Sequence, residues 1–544
     1  MKLTRRRFVQ LAGAVCAVAC ADEEVYTPDP IEDAGPDPTY DAMPIDPDAG
    51  DDAGDDAAVD AAPAEDAAPD AALDAARDAS LDARADAAPD VVRLDAAPDV
   101  VRADVARPDA PPDAAHDAGM VADPDFRSLP ERATQFPLGV MAGDATDTSV
   151  IFWTRYAGTG TVRLRVLEMN GARIAAVRFD GAVDASSAGY VRAVVNGLRA
   201  NKQHLYAFLV GPAGAPTGRS LVGRVQTAPA PDALVPLVFG GTSCTNQRHR
   251  PFPALQHAGG RDDLDFFIHA GDHVYTDYAD NAATLAQYRA KYEQNWTSAG
   301  LRALHRSTGM YLTWDDHEVL NNWDPETLSA ARLAAARQAF FEHRATRRNA
   351  AAPERIWRSF RWGRTAEIFV LDCRSERLPS TRSTNVARRS QYISRAQMDW
   401  LKAGLRASPC VFKFIVNSVP IVDRAGADAD NWNGYASQRQ EILRHIDSNR
   451  LRGVVWLSGD VHFGGVCKVE PTGPFADIWE VIMGPAGADR DGRPPLRDGQ
   501  WPVSVIGTHN YTVLRADPAT RTLRAEFVNG AGNVIAGSRW SHTF

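Results

Sequence analysis

The sequence contains few cysteines for its length. Only six occur in 544 residues, and two of them, Cys16 and Cys20, lie in the first twenty positions. The other four are widely spaced and form no Cys-x-x-Cys pair: Cys244, Cys373, Cys410 and Cys467. This usage excludes a disulfide framework of the kind that holds small secreted domains together. The chain must therefore rely on buried apolar cores, and its length gives room for about two to four domains.

Residues 21–125 are nearly devoid of aromatic side chains. They hold 31 Asp or Glu and five Arg, a charge of −26, in repeats such as DAAPDAALDAARDAS. Such a segment cannot bury enough apolar surface to offset the entropy of ordering its backbone. Like charges and prolines keep such a chain extended. We therefore predict a disordered acidic stalk, a linker that spans residues 22–128.

The acidity of the whole chain comes from this linker alone. The full sequence has a formal net charge of −11, and once the linker and the four basic residues of positions 1–20 are set aside, residues 126–544 carry +11. A basic body favours an anionic substrate through electrostatic steering. Charge alone also fits nucleic acid or a membrane surface. The chain has no recognisable nucleic-acid recognition motif, so no nucleic-acid partner is expected.

The first apolar run of the chain is too short to span a membrane comfortably. Residues 1–21, MKLTRRRFVQLAGAVCAVACA, place basic residues before small apolar ones, as a signal peptide does. The run Arg5 to Phe8 resembles a signal for the twin-arginine export machinery, which carries folded proteins. The run Ala17 to Cys20 resembles a lipoprotein cleavage box, which predicts a lipid anchor at Cys20. Plain signal cleavage nearby is the alternative. Either route predicts an exported protein, periplasmic or at the cell surface.

Two kinds of pattern follow the linker. Between residues 130 and 230, short alternating segments separated by turn residues predict a small β-sandwich. Between residues 234 and 544, apolar runs alternate with helix-like stretches, which predicts an α/β domain. The predicted strands of this second domain are 234–241, 264–272, 309–316, 366–372, 410–418 and 452–460, and the predicted helices are 282–296, 328–345, 394–407 and 436–447.

Polar side chains follow four of these apolar runs. The groups are Cys244, Asp272 with Tyr275, Asp316 with His317, and Asp460 with His462. In α/β sheets, sites form at the carboxyl ends of strands, and carboxylates and imidazoles gathered there bind cations. An Asp that follows Gly at a strand end is often only a turn. Four such groups in one domain predict a metal site.

The motifs resemble those of the PhoD family of alkaline phosphatases, within the metallophosphoesterase superfamily. The sequence GDHVY at 271–275 is similar to the family's Gly-Asp-Tyr-Ile-Tyr element, WDDHEVLNNW at 314–323 to its WDDHE–NNW signature, and LSGDVHFG at 457–464 to its final metal motif. Residues 136–144 and 149–155 resemble its amino-terminal β-sandwich. The resemblance covers roughly 130–544. It implies a four-layer α/β/β/α sandwich preceded by a small all-β sandwich.

The resemblance also implies a hydrolase of phosphate esters that uses Fe³⁺ and Ca²⁺. The implied metal ligands are Cys244, Asp272, Tyr275, Asp316, Asn321, Asp460 and His462. Asp272 would bridge the metals and take part in catalysis, with a metal-bound hydroxide attacking phosphorus in line. His317 would either protonate the leaving oxygen or orient a carboxylate. Which ligand binds which metal stays open.

Two other functions fit the same sequence. A phospholipase D-like phosphodiesterase on this scaffold would act on a phospholipid or another diester, and an assay of a monoester against a diester with the same leaving group separates the two activities. A non-catalytic cell-surface binding protein would need a decayed site, and the intact set of ligand-type residues argues against it.

The metal-site hypothesis makes a direct prediction for two residues. Asp272→Asn and Tyr275→Phe each remove an anionic ligand, so each is expected to abolish phosphate-ester hydrolysis while the protein still folds. Release of phosphate is measured beside circular dichroism of each variant. Unchanged turnover in both folded variants would contradict the hypothesis.

Overall fold

The structure, a computed structural model, describes residues 125–423, 430–489 and 499–544. The predicted signal of 1–21, the predicted lipid anchor at Cys20 and most of the predicted linker lie outside these residues. Within them, no helix combines the length and the apolar character needed to cross a membrane.

The predicted linker ends too late at residue 128. Phe126–Ser128 form a 3-10 turn, and Asp125 caps it by accepting a hydrogen bond from the backbone N–H of Arg127. The Phe126 side chain is fully buried in a small core with Leu167 and Leu209. Burial of one aromatic side chain against the following domain is enough to order this end of the segment.

The first part of the described chain consists of strands. They are β1 (Val140–Gly143), β2 (Ser149–Arg155), β3 (Val162–Asn170), β4 (Arg173–Val183), β5 (Tyr190–Asn196), β6 (Gln203–Val210), β7 (Gly218–Arg219) and β8 (Gly223–Gln226).

These strands form two facing layers. One layer is a sheet in the order β4-β3-β6-β7, with β8 paired to β6. The other layer contains β1, β2 and β5. Phe152 of β2 meets Tyr206 of β6 between the layers, with 4.7 Å between the ring centroids, and Leu164 of β3 belongs to the same core. The amino-terminal region is thus all β, with alternate side chains turned into one core.

Strands and helices alternate in the rest of the chain. The helices are α1 (Pro253–Gly259), α2 (Leu285–Trp296), α3 (Ala299–Ser307), α4 (Ala330–Glu342), α5 (Arg395–Ala407) and α6 (Ala436–Ser448). The strands are β9 (Leu237–Thr245), β10 (Phe266–His269), β11 (Gly309–Leu312), β12 (Arg358–Trp362), β13 (Ala366–Val370), β14 (Phe412–Val416), β15 (Val454–Ser458), β16 (Gly464–Lys468), β17 (Trp479–Ile482), β18 (Pro485–Gly487), β19 (Val503–Val505), β20 (Asn510–Asp517), β21 (Thr522–Asn529) and β22 (Trp540–Thr543).

Most predicted helices begin where a capping side chain stands. Thr284 starts α2 with a capping box, in which its hydroxyl and the Gln287 side chain each satisfy a backbone N–H of the other residue. Ser329 and Ser394 accept hydrogen bonds from the first turns of α4 and α5. These caps fix the residue at which each helix begins.

Two sheets stack in the second part of the chain. The first runs β22-β21-β20-β9-β10-β11-β1-β2-β5, with β18 beside β9, and the second runs β12-β13-β14-β15-β17-β16-β19. Phe239 of the first sheet and Phe414 of the second meet with 5.0 Å between ring centroids. Helices α1–α4 cover the outer face of the first sheet, and α5 and α6 cover that of the second. The predicted four-layer α/β/β/α sandwich is confirmed.

The amino-terminal strands share a sheet with the second part of the chain. β1 pairs in parallel with β11, where Ala142 lies opposite Gly309. Just after β1, the buried Asp144 carboxylate accepts hydrogen bonds from the Arg358 guanidinium of β12, at 2.8 Å to each oxygen. The backbone N–H of Arg347 donates to the same carboxylate at 2.6 Å. Asp144 therefore ties β1 to the second sheet.

We predict that Asp144→Asn destabilises the whole protein. The change removes the charge opposite a largely buried guanidinium, which costs about 3 kcal/mol of unfolding free energy. Denaturant unfolding measures this loss. Asp184→Asn, at an exposed position, is the matched control and should stay within about 0.5 kcal/mol. Equal unfolding midpoints for the two variants would show that the Asp144 contacts contribute little.

Candidate metal centre

The predicted site residues follow the carboxyl ends of four strands. Cys244 is the penultimate residue of β9, Asp272 follows β10, Asp316 follows β11, and Asp460 follows β15. The first three strands are parallel neighbours in one sheet, so their ends meet at one edge. β15 brings Asp460 to the same place from the second sheet.

The backbone is left-handed at four of the predicted ligands. The φ angles are +52° at Cys244, +54° at Asp272, +68° at Asp460 and +53° at His462. Side-chain-bearing residues adopt this region rarely, and it persists only where the surroundings enforce it. Such conformations concentrate at functional sites. The side chains of these four residues all lie at the edge where the strands end.

Four predicted ligands meet around Asp272. Its Oδ2 lies 3.5 Å from Cys244 Sγ and 3.3 Å from the Tyr275 hydroxyl. The same hydroxyl lies 3.1 Å from His462 Nε2. Cys244, Asp272 and His462 each offer a ligand atom within 4.8 Å of the others. We term these four residues, Cys244, Asp272, Tyr275 and His462, the thiol cluster of the site.

A second cluster is made of carboxylates. Asp315, Asp316 and Asp460 offer oxygen atoms within 4.8 Å of one another, and Asp272, Asp316 and His317 form another such set. We term Asp315, Asp316 and Asp460 the carboxylate cluster. Asp272 belongs to the thiol cluster and also lies beside Asp316, so its position suits a bridging ligand.

Asn321 stands outside both clusters. Its side chain is exposed, and its backbone N–H donates to Asp277 at 2.7 Å. The next residue, Asn322, donates its own backbone N–H to Asp316 Oδ2 at 2.7 Å. With its amide nitrogen facing the carboxylates, the Asn322 side chain also lies 3.1 Å from Asp316 and 3.0 Å from Asp430. Of the two asparagines, Asn322 contacts a predicted ligand.

The donor sets fit bound cations. Burial raises the pKa of Asp272, Asp460 and Cys244 well above their ordinary values, and neighbouring carboxylates raise them further. Burial does the same to the Tyr275 hydroxyl. A cation reverses this effect, because it favours the deprotonated ligand. Thiolate, phenolate and imidazole in one group suit a transition metal, and carboxylates alone suit a hard cation such as Ca²⁺.

A buried guanidinium, that of Arg374, lies against the carboxylate cluster. Arg374 donates to Asp315 at 2.5 Å and to Asp430 at 2.8 Å, and it reaches Asp460 at 3.5 Å. Neither Arg374 nor Asp430 belongs to the set of ligands that the motifs imply. The two are 56 positions apart, and no local spacing reveals such a contact. Arg374 offsets part of the negative charge gathered at this edge.

His317 is held by a second missed residue, Asp277. The imidazole Nδ1 lies 2.8 and 3.0 Å from the two Asp277 oxygens, and the ring stacks on Tyr275 at 3.9 Å. Burial opposes the charged imidazole, but Asp316, Asp272 and Asp277 outweigh it and raise the pKa of His317 to about 10. His317 is thus a proton-bearing side chain beside the predicted ligands.

The loop that carries Asp272 is fixed from behind by Glu318. Its Oε2 accepts the backbone N–H groups of Asp272 at 3.0 Å and Asp315 at 2.9 Å. Its Oε1 accepts that of His273 at 2.8 Å, and Arg344 donates to the same oxygen at 2.8 Å. Glu318 and Arg344 are both fully buried. This ion pair, which we term the loop clamp, sets the position of two loops that bear ligands.

Two stacked sheets with helices on both outer faces, and ligand-type residues at the strand ends, define a metallophosphoesterase-like protein. A family model described as PhoD-like phosphatase matches residues 237–500, and one described as the N-terminal domain of PhoD-like phosphatases matches residues 122–229. The chain belongs to the PhoD-like phosphatase family. The resemblance seen in the motifs is confirmed, and with it membership of a family of phosphatases.

Individual relatives agree with this assignment. Alkaline phosphatase D of Bacillus subtilis (strain 168) is 31% identical over 397 residues, which cover 63% of this chain and 66% of the Bacillus enzyme. A solved structure of PhoD matches with a TM-score of 0.65 at 24% identity, over 77% of this chain and 92% of that one. Purple acid phosphatase PPD1 from seeds of yellow lupin (Lupinus luteus) matches with a TM-score of 0.54 at 11% identity, over 74% and 73%. The two structural likenesses show the fold.

We predict that Glu318→Gln strongly destabilises the protein. An amide nitrogen would replace one carboxylate oxygen and face backbone N–H donors, and Arg344 would lose its charged partner. Breaking such a buried pair costs about 3–5 kcal/mol of unfolding free energy. The matched control is Glu354→Gln, which breaks the ion pair between Arg337 and Glu354. The Glu354 side chain is 74% exposed. Because exposed pairs contribute about 0–1 kcal/mol, a Glu318 variant as stable as the control would refute the loop clamp.

Proposed function

We propose that the protein is a metal-dependent hydrolase of phosphate monoesters. The observation that carries the proposal is that the thiol cluster and the carboxylate cluster lie side by side, with Asp272 near Asp316 and His317 adjacent. The similarity to alkaline phosphatase D of Bacillus subtilis supports the choice of reaction. A small-molecule phosphate ester is the proposed substrate.

The two clusters suit the two metals of the family resemblance. Cys244, Tyr275 and His462 would hold Fe³⁺, and Asp316 and Asp460 would hold Ca²⁺, with Asp272 between them. When bound, such ions withdraw charge from phosphate oxygens and make hydroxide available near neutral pH. Elemental analysis of purified protein tests this assignment. Iron with calcium is the expected result, and zinc alone would contradict it.

The residues of the chain have distinct roles in the proposal. The Tyr275 hydroxyl oxygen and Asp272 Oδ2 lie 3.3 Å apart, which is close enough for both to bind one cation. Asp277 holds Nδ1 of His317, which leaves Nε2 to face substrate, and the structure gives Nε2 no hydrogen-bond partner among the described residues. His317 then donates the Nε2 proton to the leaving oxygen as its bond to phosphorus breaks.

The proposal includes export. The basic and apolar pattern of residues 1–21 supports transfer by the twin-arginine machinery, and the run before Cys20 supports a lipid anchor. Folded export suits an enzyme that takes up its metals before it crosses the membrane. Cell fractionation of the wild type beside a variant with Arg5 and Arg6 replaced by Lys tests the route. Undiminished export of the variant would contradict it.

We predict that His317→Ala slows substrates according to their leaving group. Phenolate needs a proton as it leaves, whereas p-nitrophenolate is a much weaker base and leaves without one. General acid catalysis contributes about a hundredfold or more, so phenyl phosphate should lose about a hundredfold in kcat, and p-nitrophenyl phosphate far less. Metal content of the variant serves as the control. Equal losses for both substrates would assign His317 to orienting a carboxylate instead.

The diester alternative is separated by one pair of substrates. Hydrolysis of p-nitrophenyl phosphate and of bis-p-nitrophenyl phosphate releases the same product, so only the second ester group differs. The proposal expects a higher kcat/KM for the monoester. A higher value for the diester would favour the phosphodiesterase.

A further inference from the structure

A cavity of about 440 Å³ lies beside the loop that carries Asp272 and Tyr275. It is open to solvent and is lined by the segment after β9, by residues 278–280 and by one face of α2. Its volume is in the range of pockets that bind small molecules. The residues considered below all line it: Gln247, Arg248, Arg250, Tyr278, Asp280 and Lys291.

The cavity is attached to the metal centre through Gln247. The Gln247 amide donates to the Tyr275 carbonyl at 2.7 Å, and its oxygen accepts the Tyr275 N–H at 3.2 Å. Tyr278 follows Tyr275 by three residues, so their Cα atoms are within about 11 Å of each other. Gln247 therefore lines the cavity and also contacts the backbone of a predicted metal ligand.

The lining is strongly basic. Arg248, Arg250 and Lys291 line it together with one acidic residue, Asp280. Arg250 donates to the carbonyls of Gln247 at 2.9 Å and Gln294 at 3.0 Å, and Lys291 donates to the Tyr278 carbonyl at 2.5 Å. Carbonyl oxygens orient these side chains without neutralising them. Both positive charges thus stay available to a ligand.

Arg248 adds a third cation with weaker attachments. Its guanidinium lies 5.4 Å from the centre of the Tyr278 ring and pairs with Asp489 at 3.2 Å. Arg248 is 47% exposed and Asp489 is 66% exposed, and such exposed pairs hold little energy. A dianion that enters the cavity can compete for Arg248.

We propose that this cavity binds a second phosphate group of the substrate, so the preferred substrates carry two phosphates on one short alcohol. The inference rests on the proposed monoesterase and names its substrate class. One phosphate occupies the metal centre, and the other is held by Arg250 and Lys291 through charge-assisted hydrogen bonds. The pocket fixes the distal group and takes no part in the chemical step.

Two substrates that differ only in the second phosphate test the inference. Butyl phosphate and butane-1,4-diol bisphosphate release similar alkoxides, and phosphate release is measured for both. Arg250→Gln and Lys291→Gln should each raise KM for the bisphosphate about fivefold, the effect of one lost ionic contact of moderate exposure. Their kcat, and both constants for butyl phosphate, should stay unchanged. Arg250→Lys keeps the charge and should restore most of the lost affinity.

Arg524→Gln is the control for a general loss of positive charge. Arg524 is exposed on β21 opposite Arg515, which pairs with Val238 at the amino end of β9, far from the metal centre. It should leave both KM values unchanged. Equal KM changes for the two substrates, or none in either pocket variant, would overturn the inference. Wild-type protein that hydrolyses neither substrate would overturn the proposed monoesterase instead.

Discussion

The site depends on acidic groups, most of them buried, that lie together at one edge of two sheets. Asp272, Asp315, Asp316 and Asp460 are gathered there with the thiol of Cys244 and the hydroxyl of Tyr275. Burial and mutual repulsion both oppose the ionised forms of such groups. Arg374 compensates part of this charge. Bound cations would compensate the rest, because they stabilise the deprotonated forms of these ligands.

Support for this edge extends far from the ligands. Glu318 and Arg344 hold the Asp272 loop from behind, and Asp144 links the amino-terminal strands to the second sheet. Left-handed backbone at four ligand positions requires such support, since strained conformations relax where the surroundings permit it. The amino-terminal β region is therefore joined to the catalytic part through a shared sheet.

Much of this arrangement could be predicted from local sequence. The buried parallel strands are continuous apolar runs, so all six predicted strands of the second part are found, and the spacing of Asp272 and Tyr275 places both on one turn. Short helices such as α1 escape detection because seven residues carry little periodicity.

Contacts between distant segments could not be read. The partners Arg374 with Asp430, and His317 with Asp277, join loops 40 or more positions apart. The pair Asn321 and Asn322 shows the same limit at short range, since the direction of a turn decides which side chain faces inward. The His273 side chain likewise contacts no predicted ligand. Its ring stacks on that of His269 with 4.0 Å between centroids, and its Nε2 lies 3.1 Å from His305 Nε2.

The proposed hydrolysis rests on iron bound by Cys244, Asp272, Tyr275 and His462. An anomalous difference map from crystals of the purified protein, recorded on both sides of the iron absorption edge, tests this binding most directly. We expect a peak within bonding distance of Cys244 Sγ, Asp272 and His462 that weakens sharply below the edge. A map without iron signal at this position, in protein that hydrolyses phosphate monoesters, would contradict it.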